Sequence, residues 1–186
     1  MKTKHIILVV TFFSFLCSNA QITKGNWMVG GSGNFSSYEN KNQENGTEII
    51  RKGIGINFSP KIGYFFLNKV AGGTSMTISY TKPKESESSI GYGFGPFLRY
   101  YVLNEDKQVN FFGEASYTFG ETKSGDFKNT SNGYGFKAGS AIFFNSSVAL
   151  EIALEYSSSS YKSQSSGSNS FNNLQIGLGF QIHLEK

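Results

Sequence analysis

Residues 174–184 read LQIGLGFQIHL, with Leu174, Ile176, Leu178, Phe180, Ile182 and Leu184 on one parity and Gln175, Gly177, Gly179, Gln181 and His183 on the other. Successive side chains of an extended chain point to opposite faces, so this run presents one broad apolar face and one small or polar face. Its length is informative as well. A tilted strand needs about 10 residues to cross a bilayer, whereas strands of soluble domains typically have about 5 or 6.

The same alternation recurs in seven further segments upstream. Trp27, Val29 and Phe35 oppose Asn26, Ser32 and Asn34. Ile54, Ile56, Phe58, Pro60, Ile62 and Tyr64 oppose Gly53, Gly55, Asn57, Ser59, Lys61 and Gly63. Val70, Met76, Ile78 and Tyr80 alternate with Ala71, Gly73, Ser75, Thr77 and Ser79, and Ile90, Tyr92, Phe94, Pro96, Leu98 and Tyr100 with Gly91, Gly93, Gly95 and Arg99. Three more runs centre on Val109–Phe119, Tyr134–Phe144 and Val148–Tyr156. Polar connections at 39–49, 81–89, 121–132 and 157–170 alternate with short ones at 66–69, 103–108 and 145–147. Eight strands joined by turns that are short on one side and long on the other predict an all-β, up-and-down antiparallel barrel of the transmembrane kind. The Ser/Asn/Gly tract Ser157–Ser170 is expected to be mobile.

The N-terminus reads as an export signal. Lys2 and Lys4 precede an apolar run from Ile6 to Leu16, and Ser18-Asn19-Ala20 supplies small residues before a cleavage site at Gln21. The run is too short for a spanning helix, which needs about 20 residues. Residues 1–20 are therefore assigned to a cleaved signal and 21–186 to one barrel domain. Cys17 raises a lipidation alternative, but Leu16 before it fits that processing poorly. Cleavage removes the only Cys, so the mature chain carries no disulfide, and it leaves 15 basic residues against 13 acidic ones. A net charge of about +2, dispersed along the chain, gives no footprint for nucleic acid.

A soluble ligand-binding barrel would alternate too, with its apolar face inward. Two features favour the opposite sidedness. Interior strand glycines such as Gly91, Gly93, Gly95, Gly177 and Gly179 suit a narrow lumen crowded by side chains. Aromatic residues also gather toward strand ends, as a barrel with headgroup-level girdles requires. Trp27, Tyr64, Phe65, Phe66, Tyr100, Tyr101, Phe143 and Phe144 are assigned to one rim; Phe35, Tyr80, Tyr92, Tyr117, Phe119, Tyr134 and Tyr156 to the other. Six charged residues, Lys61, Arg99, Glu114, Lys137, Glu151 and Glu155, fall at lumen-facing parity, three of each sign. They read as a structural network that fills the barrel axis, and as an ion path only secondarily, because eight strands leave little open space.

With NWMVGGSGNFS (26–36), GYGFGPFLRYYV (91–102) and LQIGLGFQIHL (174–184), the mature chain resembles the small outer-membrane β-barrel proteins of Bacteroidetes-type bacteria, similar in architecture to OmpX and to the OmpA transmembrane domain. The resemblance implies residence in the outer membrane, contact with its lipid and lipopolysaccharide, and insertion by the barrel-assembly machinery through a last-strand signal at Gly177, Phe180 and Ile182. It implies no particular activity.

No chemistry stands out. His183 is the only mature imidazole, at the end of the last strand and facing inward, so a Ser/His/acid set of the lipid-modifying kind lacks a base at the far rim. One His and no Cys make no zinc site, and no cofactor motif is present; the GxGxG at 91–95 lies inside a strand. The expectation is a non-enzymatic barrel that meets an extracellular ligand or partner through four long loops. A narrow pore is the alternative, ahead of a lipid-modifying enzyme or a soluble lipocalin-like ligand binder. Pro60 and Pro96 each remove a ladder donor and predict bulges or local distortion.

Overall fold

The computed structural model describes residues 22–44, 47–84, 87–125, 127–163 and 168–185. The expected signal and residues 164–167 lie outside them. Eight strands follow in order: β1 (Trp27–Glu44), β2 (Thr47–Leu67), β3 (Val70–Pro83), β4 (Ser89–Tyr101), β5 (Val109–Ser124), β6 (Phe127–Phe143), β7 (Val148–Ser163) and β8 (Ser168–Leu184). Each pairs antiparallel with its sequence neighbours, and β8 returns to β1, so the sheet is a closed up-and-down barrel. Closure satisfies backbone donors and acceptors internally, as a wall crossing hydrocarbon must.

The periodicity describes the face pattern well and the strand ends poorly. Outward residues such as Phe35, Phe94, Leu174 and Ile176 are exposed, and their alternating neighbours turn to the axis. The strands, however, run 13 to 21 residues. Most of three of the polar stretches read as long loops, all but 81–89, is paired strand: β1 and β2 keep register up to Glu44↔Thr47, and β5 and β6 up to Ser124↔Phe127. The tract expected to be mobile is likewise ladder from Ser157 to Lys162 against Asn173 to Ser168. Alternation fades there because both faces of a hairpin standing above the lipid meet water, while the backbone ladder continues regardless.

Pair partners traced from Leu184 through Trp27, Tyr64, Gly72, Leu98, Ala115, Phe136 and Tyr156 return to β8 at Leu174, ten residues from the start. That stagger tilts the strands against the barrel axis, and the small strand number keeps the bore narrow. Both prolines behave as gaps and neither as a bulge. The β2–β3 ladder skips from Phe58↔Ile78 to Lys61↔Ser75, and the β4–β5 ladder from Phe94↔Phe119 to Phe97↔Ser116, with register unchanged. A missing N–H interrupts pairing without inserting a residue, and the Ser59 and Thr77 hydroxyls, 3.3 Å apart, bridge the first gap. The register shift that does occur lies between Phe65 and Leu67, at the β2–β3 turn, where Lys69 takes a positive φ.

The two ends differ. At the end carrying the termini, residues 22–26 fold across the mouth: Gly25 N–H donates to the Phe65 carbonyl and Lys69 N–H to the Ile22 carbonyl, both at 2.8 Å. Gly25 has φ +100°, a conformation that only glycine adopts without strain. At the opposite end, hereafter the far end, the closing seam comes apart. β1 pairs with β8 over Trp27–Gly33 alone, whereas β1 pairs with β2 along its whole length.

Candidate functional site

Three layers fill the axis, and each follows from which residues alternation sends inward. Nearest the termini is an apolar plug. Ile22, Met28, Phe65, Tyr101 and His183 have no exposed surface, and Phe143 almost none. The His183 ring lies 5.6 Å from Phe65, 5.9 Å from Tyr101 and 5.3 Å from Phe143, centroid to centroid. This corrects the rim assignment for Phe65, Tyr101 and Phe143. In each doublet, Phe65-Phe66, Tyr100-Tyr101 and Phe143-Phe144, adjacent residues must point oppositely, so only Phe66, Tyr100 and Phe144 reach the outer surface.

Above the plug sits the charged layer. Arg99, fully buried, donates from Nε to Glu114 Oε2 at 2.7 Å, from both terminal nitrogens to Glu151, and from Nη1 to the Tyr101 hydroxyl at 3.1 Å. Lys61 crosses the bore from β2 to donate to both Glu114 oxygens at 2.8 Å. Aromatic faces cover the cations: the Arg99 guanidinium lies 4.1 Å from the Phe112 centroid and Lys61 Nζ 5.2 Å from that of Phe97. The remaining pair, Lys137 and Glu155, meets at 2.6 Å, and Gln175 donates to the same carboxylate at 3.0 Å. Arg99, Glu114, Lys137, Glu155 and Gln175 are successive cross-strand partners, so alternating charge winds along one register row.

The third layer is a polar cavity of about 260 Å³ where the seam opens, with Ser32 and Asn34 of β1 facing Asn173 and Gln175 of β8. Glu155 forms part of its floor. The cavity is electrically neutral as far as its lining goes, since Glu155 is already paired with Lys137. Sequence parity marks all six charged residues as inward; it does not single out Phe97, Phe112 or Met28, whose inward positions follow from the same rule.

The outward aromatics ring the wall. Trp27 packs on Tyr64 at 5.2 Å near the terminal end, where Tyr100 is also exposed. Tyr117 packs on Phe119 at 4.9 Å, and Tyr134 lies 6.5 Å from Tyr156. Tyr80 and Tyr92 are outward partners of Ile56 and Ile78. Outward charges begin only beyond these rings, in the strand extensions missed by the periodicity. Lys82 follows Tyr80 on β3, Lys52 follows Ile54 on β2, and Glu121 and Lys123 follow Phe119 on β5.

His183 offers no catalytic base to the surface. It is enclosed by the plug, with Nε2 3.5 Å from the Tyr101 hydroxyl. Among the described residues no cluster of His, Cys, Asp or Glu could hold a metal.

The family described as outer membrane protein beta-barrel domain matches residues 6–186. No curated protein matches the chain. Among solved structures, it is similar to the outer membrane protein OprG from Pseudomonas aeruginosa, at 13% identity and a TM-score of 0.56, over 90% of this chain and all of that one. It is similar also to Neisserial surface protein A, at 14% identity and a TM-score of 0.56, over 86% of this chain and 97% of the other. Likeness at such identity is a likeness of fold.

Proposed function

From the premise that the chain belongs to the outer membrane protein beta-barrel domain family, we propose that it is a non-enzymatic barrel with a closed lumen, whose role is carried by the far-end hairpins. These face the outside of the cell, and the short turns and both termini face the periplasm. The observation that carries this reading is the contrast between the two ends. The plug of Ile22, Phe65, Tyr101 and His183 and the Arg99 network above it leave no continuous passage, while the far hairpins extend the rigid wall well past the outward aromatic rings. Rigid walls that carry exposed polar ends are where recognition residues usually lie.

Two arms test it. Purified barrel in a planar bilayer is expected to give no discrete current, and cells whose far hairpins are cut back to tight turns are expected to lose a surface phenotype such as adhesion or envelope resistance. Steady single-channel steps from the intact protein would contradict the closed lumen. An unchanged phenotype after trimming all four hairpins would contradict the surface role. The exported leader at 1–20 and the closer kinship with small OmpX-like barrels belong to the same reading and rest on the sequence motifs.

A further inference from the structure

Cationic side chains on the outer surface of the far end are not spread evenly. On the β5–β6 hairpin, Glu121 serves both Lys128, at 2.7 Å, and Lys123, at 3.8 Å, so each lysine of that sector has an anionic partner. On the β2–β3 side, Lys52 meets Glu39 at 2.8 Å, but neither Lys82 nor Lys84 has an ion pair among the described residues. These three lysines are held together by the ladder. Lys82 is the cross-strand partner of Ile54, and Lys84 N–H donates to the Lys52 carbonyl at 2.8 Å. They border a cavity of about 630 Å³ together with Glu39 and Ile54, with Tyr38 and Pro83 on its inner side, of a size that receives a headgroup.

Position decides the kind of anion. Reading outward residues along β3 gives Ile78, Tyr80, Lys82 and Lys84, and along β2 Phe58, Ile56, Ile54 and Lys52. One outward step is two residues, roughly 6.6 Å of strand, or about 5 Å along the membrane normal once tilted. The lysines therefore begin one step beyond the aromatic and branched ring that marks the lipid boundary, at the depth of headgroup phosphates. Ile54, level with Lys82 and one step below Lys52, continues the acyl-facing surface into the cavity, while Pro83, the partner of Gly53, turns to the axis. An apolar floor beneath three clustered ammonium groups, only one of them ion-paired among the described residues, suits an amphipathic anion better than a free ion.

We propose that Lys52, Lys82 and Lys84 form a binding site for the phosphate groups of a phosphorylated glycolipid of the outer leaflet. This rests on the reading that the far end faces outside. The site gives the barrel a fixed lipid neighbour on its β1–β3 side and leaves the β5–β6 side without one.

The test is native mass spectrometry of the barrel purified from outer membranes in detergent, titrated with bis-phosphorylated lipid A, with dephosphorylated lipid A, and with inorganic phosphate as competitor. Bis-phosphorylated lipid A is expected to bind the wild type; the triple variant K52Q/K82Q/K84Q is expected to bind it about tenfold or more weakly. The K123Q/K128Q control should bind like wild type, the dephosphorylated lipid as weakly as the triple variant does, and inorganic phosphate should not displace the lipid. Heat-dependent gel mobility establishes that each variant is folded. Undiminished binding by the triple variant, equal binding of dephosphorylated lipid, or displacement by free phosphate would each overturn the site. A conducting barrel that still bound lipid A in this pattern would overturn the closed-lumen reading alone.

Discussion

Arg99 carries the heaviest demand of any residue in the chain. Its guanidinium is the shared partner of the buried Glu114 and Glu151; without it Glu114 keeps Lys61, but Glu151 keeps only the Gln181 amide. Breaking a buried pair by removing one member costs about 3 to 5 kcal/mol, because the other charge remains buried. Arg99→Met is therefore expected to lower unfolding stability by that amount, read as a fall in the urea midpoint of the heat-modifiable band. Exchanging Lys137 and Glu155 together for Met should cost less than about 1.5 kcal/mol, since both members leave and that pair retains some exposure. An Arg99→Met barrel as stable as wild type would mean that the lumen is wet enough to solvate its carboxylates. Parity alone put the six charged residues on one face. Their partners were not readable, because Lys61 reaches Glu114 across the bore, three strands away, and that meeting depends on the stagger of the closed barrel.

Glycine makes a related point. A Cβ on Gly177 would press only on the Glu155 carboxylate, the mobile end of a side chain, whereas one on Gly139 would collide with the Ile152 carbonyl and Ala153 Cα of the neighbouring strand. Gly139→Ala is expected to destabilise by about 1 to 3 kcal/mol and Gly177→Ala by clearly less. Equal effects in equilibrium unfolding would show that the β6–β7 wall yields more readily than its register suggests. A crowded lumen, expected from sequence, accounts for Gly177; at Gly139 the crowding is by the adjacent backbone.

At the scale of strands and hairpins, each proline opens a two-residue gap on one side of its strand and holds register on the other. Pro60→Val restores a donor facing that gap and keeps the outward position apolar. It is expected to slow hydrogen exchange of the amides around Ser59 and Thr77 and to add about 1 kcal/mol of stability. Exchange unchanged at those amides would mean that something other than the missing N–H keeps β2 and β3 apart there. Strand number, order and the facing of each run were legible because lipid and lumen impose opposite demands on alternate residues. The hairpin extensions were not, since their two wet faces make the same demand on every residue. In the rim doublets height alone does not set the facing, because neighbours in a strand cannot share a face: Phe66, Tyr100 and Phe144 turn outward and Phe65, Tyr101 and Phe143 inward.

As a whole, the molecule is a wall facing lipid around an axis filled from one end. Closed ladders, a ten-residue stagger and outward charges confined to the far extensions follow from that division. Its most direct test is spin labelling along β8. Cysteines are introduced singly at Gln175, Ile176, Leu178 and Phe180 in the barrel reconstituted in bilayers, where the only native Cys, Cys17, precedes the expected cleavage site. The account predicts that labels at Ile176, Leu178 and Phe180 collide with dissolved oxygen and are shielded from a water-soluble nickel chelate, and that the label at Gln175 escapes oxygen. Free access of the chelate to the three apolar positions, or no alternation between Gln175 and Ile176, would contradict it.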